Sequence, residues 1–138
     1  MGREGTDVDR PAVLGSEEDD RFYVQRSNIP DAGDGLFARV PLESGARLAV
    51  VGMLVTPLSA ADRCTRYADA YKYRINGALL IPLGFAAMVN HAPASNVEQI
   101  VEDGCLYLQT RRAIAADEEL FLTYGEDAQR RLAEMMRA

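Results

Sequence analysis

Apolar and polar positions change over in short runs along most of this chain. In "RFYVQRS" Phe22 and Val24 stand between polar neighbours, the period of a half-buried strand. "IPDAGDGLFARV" follows with turn chemistry at Pro30, Gly33 and Gly35, so a strand, a glycine turn and a return strand are expected. The run "ARLAVVGMLVTPL" is long, apolar and rich in β-branched residues, and it predicts one or two strands with a bulge at Gly52. "SAADRCTRYADA" places Ser59 as an N-cap before helix-forming alanines and predicts a short helix. In "YKYRINGALLIP" the residues Tyr71, Tyr73 and Ile75 fall on one face, and Asn76-Gly77 then predicts a tight β-hairpin. "CLYLQTRRAI" and "EELFLTY" read as two further strands, with the acidic stretch between them as a solvated turn. Ala128, Leu132 and Met135 or Met136 recur at helical spacing and predict a terminal helix over 126–138. The sum is a mainly β fold of short strands with a few short helices.

Length and charge sharpen this only at the ends. A chain of 138 residues is one domain that can bury its own core. Residues 1–20 hold seven acidic side chains against Arg3 and Arg10, a net of −5 out of −6 for the whole chain, which predicts an acidic flexible tail before a nearly neutral domain. No basic patch suggests a nucleic-acid partner, and no apolar run is long enough to span a bilayer, so no membrane partner is expected. The start of the chain has no apolar signal-peptide core. Cys64 and Cys105 belong to no C-x-x-C pair and are expected as small buried hydrophobes in a reducing, cytoplasmic setting. With His91 the single histidine, no metal site is expected. Lys72 is the only lysine.

Candidate chemistry comes from three motifs in order. Gly33-Asp34-Gly35 alone is an ordinary turn, and it opens no long helix, so a dinucleotide fingerprint is rejected. Its context is more specific: "NIPDAGDGLFARVPLESG", then "MVNHAPASN", then "DEELFLTYG". Together these resemble the SET-domain protein lysine methyltransferases, over roughly residues 22–125, in a minimal type without pre-SET or zinc-binding post-SET segments. The matching positions are Gly33, Gly35, Leu36, Phe37 and Ala38; Asn90, His91 and Asn96; and Glu118, Glu119, Leu120, Tyr124 and Gly125.

The resemblance implies a β-clip-like SET domain over residues 21–125, whose closing segment threads under a loop as a pseudoknot. It implies S-adenosylmethionine as methyl donor, held by backbone groups of Ala32, Gly33, Asp34, Gly35 and Leu36, by the Asn90 side chain and by the main chain of His91. Tyr124 is the implied catalytic tyrosine. Tyr71 is the candidate second catalytic tyrosine with Tyr73 as its alternative, and Tyr73 and Phe85 are candidates for the wall of the lysine channel. Asn96 is expected to be structural. The implied partner is a protein presenting a lysine, and the terminal helix or a second copy in a homodimer would complete the channel. Departures are Ala92, Pro93 and Ser95 where serine, cysteine and proline are usual, and Thr123 where Asp or Asn is common. The competing function is a non-catalytic SET-like binding module that retains the fold and the donor.

Overall fold

The structure, a computed structural model, describes residues 17–123. Tyr124, Gly125, the expected terminal helix over 126–138 and most of the acidic tail lie outside the described residues.

Ten short strands appear among the described residues, in four small sheets. β1 (Phe22–Arg26) and β2 (Asp34–Ala38) form an antiparallel ribbon with Phe22 opposite Ala38 and Arg26 opposite Asp34, the strand, turn and return expected from the sequence. Phe22 is buried against the core but Val24 is exposed, because among the described residues this ribbon has two strands only and no third strand covers the outer one. The long apolar run becomes two strands in different sheets. β3 (Arg47–Ala49) pairs with β9 (Cys105–Thr110), whereas β4 (Gly52–Val55) pairs with β6 (Ala78–Pro82). Gly52 is therefore no bulge. A Cβ there would overlap the carbonyl of Ile81, so glycine is required where the chain passes closely from one sheet to the next.

β5 (Tyr73–Ile75) and β6 close on Asn76 and Gly77, with φ of 47° and 83°, the left-handed pair that a two-residue hairpin needs. Ser59 caps α1 (Ala60–Cys64), accepting from the Asp62 N–H at 3.2 Å. The helix is shorter than the sequence implies. Thr65 ends it, a single 3-10 turn over Arg66–Ala68 follows, and Lys72 then ties the segment down. The Lys72 ammonium is wholly buried and bonds Asp62 Oδ1 at 2.6 Å, Asp69 Oδ1 at 2.7 Å and the Asp62 carbonyl at 3.0 Å. Desolvation acts against this charge, but the hydrogen bonds from Asp62 and Asp69 outweigh it and hold the Lys72 pKa above its ordinary value.

Two strands were not foreseen. β8 (Val97–Glu102) pairs with β9 around an Asp103-Gly104 turn, and β7 (Asn90–His91) runs parallel to β10 (Phe121–Leu122). A main core of side chains from nearly every strand, among them Phe22, Leu36, Leu48, Leu80, Leu108, Ile114 and Leu120, sits between the sheets. Contrary to expectation, Cys64 and Cys105 are both exposed; one ends α1 and the other starts β9 at a turn, where neither can reach that core. Glu17 and Asp19, within the stretch expected as tail, are engaged: Glu17 accepts from the Phe85 N–H at 2.7 Å, and Asp19 pairs with Arg21 at 2.8 Å.

Candidate functional site

The segment 117–122 is hydrogen-bonded on both sides. On one side the Ala38 N–H donates to the Glu118 carbonyl at 2.9 Å and the Leu120 N–H to the Leu36 carbonyl at 2.8 Å. On the other, Phe121 and Leu122 lie parallel to Asn90 and His91, and the N–H groups of Ala92 and Asn96 donate to the carbonyls of Leu122 and Phe121, both at 3.1 Å. The buried Asn96 amide clamps this seam, donating to the Glu119 carbonyl at 2.8 Å and accepting from the Phe121 N–H at 2.7 Å. Its expected structural role follows from these bonds. At the end of the seam, Thr123 donates its hydroxyl to the carbonyls of Ala92 and Pro93 at 2.9 and 3.3 Å, so the hydroxyl missing at position 92 is supplied from the opposite segment.

Because the closing segment pairs with β7 and with β2, it brings Asn90 against the Gly33–Gly35 turn. The Asn90 amide donates to the Asp34 carbonyl at 2.9 Å. Beneath them lies Glu119 of the closing motif. It is 2 % exposed, and its carboxylate accepts from the Ser27 hydroxyl at 2.7 Å, the Asn28 N–H at 2.8 Å and, at a long 3.4 Å, the Asn90 amide. Its neighbour Glu118 faces outward to Arg112 and the Ala115 N–H. The Arg112 hydrogen bond holds the Glu118 carboxyl below its usual range, against partial desolvation. The two glycines serve different ends. Gly33 has a φ of 77° in open space, so it shapes the turn, whereas a Cβ on Gly35 would overlap Glu119 Oε2.

Above this floor is a cleft of about 450 Å³, bordered by Ala32, Asp34, Tyr71 and Asn90 of the expected residues, and by Tyr67, Leu83 and Met88, which sequence reasoning missed. Its volume is that of a small-molecule site, with mostly apolar walls and few polar groups. A narrower hollow of about 30 Å³ adjoins it, sharing Tyr71, Pro82 and Ala87, and is further lined by Tyr73, Val89, Gln99 and Leu122. Tyr71 precedes β5, so strand alternation does not place it. It reaches the same hollow as Tyr73 by standing at the junction of the two spaces. The buried Tyr73 ring donates its hydroxyl to the Ala86 carbonyl at 3.3 Å. Leu36 is fully buried and its carbonyl accepts from the Leu120 N–H in the seam, and the His91 backbone pairs with Leu122.

Phe85 is elsewhere. Its ring packs on Phe22 at 5.8 Å against the core and borders neither space; Ala86, Ala87 and Met88 of the same 3-10 turn do so instead. Tyr124 lies outside the described residues, two positions beyond Leu122 of the narrow hollow. Among the described residues no group of three His, Cys, Asp or Glu side chains could hold a metal, and no helix is long and apolar enough to cross a membrane.

Comparison with known proteins finds the SET domain family over residues 33–125. No curated protein sequence matches the chain. Among solved structures, Polycomb repressive complex 2 of Chaetomium thermophilum aligns with a TM-score of 0.67 at 23 % identity, over 77 % of this chain and 15 % of that one. The same complex in an autoinhibited conformation bound to S-adenosylmethionine gives a TM-score of 0.66 at 21 % identity, over 84 % and 17 %. A putative histone methyltransferase of Plasmodium falciparum gives 0.62 at 16 % identity, over 79 % and 96 %. The chain thus spans less than a fifth of the Polycomb chains it resembles, and these identities speak for the fold.

Proposed function

Given that the chain belongs to the SET-domain family, we propose that it is a protein lysine methyltransferase that uses S-adenosylmethionine. The observation that carries the reading is the pair of adjoining spaces that share Tyr71, Pro82 and Ala87, a wide cleft with Asn90 on its wall and a narrow hollow ending at Leu122. The donor supplies an electrophilic methyl group on a sulfonium. The cleft fits it: the apolar wall of Ile81, Pro82 and Met88 suits a purine face, and Asn90 with the Ala32–Asp34 backbone offers hydrogen bonds to its polar end.

The chain's own task is to deliver a neutral amine in line. A free lysine with a pKa near 10.4 is about one part in a thousand neutral at pH 7. In the hollow lined by Tyr71, Tyr73, Val89 and Leu122, desolvation lowers that pKa. Tyr71 at the junction orients the nitrogen, and Tyr124 adds the second hydroxyl. Positioning of this kind accounts for much of the rate. The substrate is a protein lysine outside this chain, since Lys72 is buried in its ion pairs. The segment 126–138 or a second copy of the chain is proposed to complete the channel. The exposed, unpaired thiols of Cys64 and Cys105 fit a cytoplasmic setting.

The test is calorimetry with S-adenosylmethionine, followed by transfer of labelled methyl to a mixture of lysine-rich proteins. Tyr124→Phe should keep the fold and the donor and lose on the order of a hundredfold in kcat. Equal labelling by wild type and Tyr124→Phe removes that role. Donor binding with no labelling by either favours the non-catalytic module, which the replacement of serine by Ala92 would suit.

A further inference from the structure

Glu119 is the one acidic side chain buried among the described residues, and no cation among them pairs with it. Its three hydrogen-bond partners, the Ser27 hydroxyl, the Asn28 N–H and the Asn90 amide, are all uncharged donors. They satisfy the oxygens and leave the charge uncompensated. The carboxylate ties the 27–28 turn to the closing segment, whereas Asn96 clamps the seam through neutral bonds alone. The carboxylate also lies directly behind Gly35, where any side chain would displace it, and next to Asn90 on the cleft wall. Only glycine lets the negative charge come this close to the cleft.

We infer that Glu119 gives the cleft a preference for a cationic donor over the neutral product left after transfer, an inference that rests on the donor reading above. In the transfer, the bond from carbon to sulfur breaks with its electron pair remaining on sulfur, and the bond from carbon to nitrogen forms. The positive charge leaves the sulfonium for the amine. A fixed negative charge behind the cleft wall therefore attracts the cationic ligand before the reaction and attracts the thioether less after it. Asp34, the carboxylate that itself borders the cleft, is exposed and screened by water, so its share is small.

Calorimetry of S-adenosylmethionine and S-adenosylhomocysteine on the same protein gives the ratio of their affinities, which general damage to the site leaves alone. Glu119→Gln should reduce the preference for the sulfonium by roughly five- to tenfold, as expected for one unit charge at a moderate distance. Ser27→Ala keeps the charge and removes one support, so both affinities should fall together and the ratio should hold. Glu118→Gln, which neutralises the adjacent carboxylate facing Arg112, should not change the ratio. Should Glu119→Gln not fold, Gly35→Ala displaces the carboxylate without neutralising it and should lower the ratio likewise. An unchanged ratio in Glu119→Gln, or in Gly35→Ala where that variant stands in, overturns the inference and leaves Glu119 a structural residue. Wild-type protein that binds neither ligand overturns the donor reading itself, and this inference with it.

Discussion

Asn90 is held at two points, and both matter to a ligand in the cleft. Its amide bonds the Asp34 carbonyl, fixing the turn opposite, and the rest of the side chain borders the cleft. Asn90→Ala should weaken S-adenosylmethionine binding by about 1–3 kcal/mol, the usual cost of a lost bond in a formed site; calorimetry showing equal affinity would remove Asn90 from it. Lys72 makes a different kind of prediction. Lys72→Met removes the ammonium from between Asp62 and Asp69, at a cost of about 1–3 kcal/mol, less than for a fully buried pair because both carboxylates still touch water. The folded pKa of Lys72 is raised, so its contribution is complete below about pH 10.4, the unfolded value, and is lost as pH rises through the folded one. Urea melts of wild type and Lys72→Met should differ by a constant amount from pH 6 to 9 and converge at strongly alkaline pH. At this scale motif order pointed to Asn90 and the glycine turn, and the fold brings the two together. The sequence named Glu119 in the closing motif but gave no sign of its burial, because a carboxylate beside Asp117 and Glu118 looks solvated until the segment is known to pass beneath a distant turn.

Among elements, the hairpins show what local patterning can and cannot convey. Asn76-Gly77 announced β5 and β6 because its two left-handed residues are a property of four neighbouring positions. Asp103-Gly104 carries the same signal between β8 and β9, yet "VEQIVE" sets Glu98, Gln99 and Glu102 among Val97, Ile100 and Val101 with no strict alternation, on an edge strand with little buried surface, and this pattern hides the strand. β7 has two residues and owes its existence to β10, so no local pattern could announce it. The same dependence makes Asn96 the most sensitive residue of the seam. Asn96→Ala leaves the Phe121 N–H and the Glu119 carbonyl without their side-chain partners in a buried place and should cost about 2–4 kcal/mol. Thermal melting of this variant within a degree of wild type would show that the clamp adds nothing.

For the molecule as a whole, the closing segment joins the two ends of the sequence. Phe37 bridges Glu119, Leu42 bridges Ile114, and β3 waits for β9. None of these pairs can form until most of the chain has been gathered, and the loop-closure cost is met before the contacts reward it. Refolding from urea, followed by tyrosine fluorescence, should therefore take milliseconds to seconds, in the range of β-sandwiches. Microsecond folding would mean that a local nucleus carries the fold. The mainly β class was legible because strand patterns are local; the arrangement of four small sheets was not, since it is decided by pairings between residues some eighty positions apart.

The buried ammonium of Lys72 has a practical side. The chain has one lysine, and its amine has no exposed surface in the folded protein. Acylating reagents that seek primary amines reach Lys72 only when the structure opens. The modification rate at that one position, read by peptide mass, thus follows opening of the segment between α1 and β5 without any engineered label.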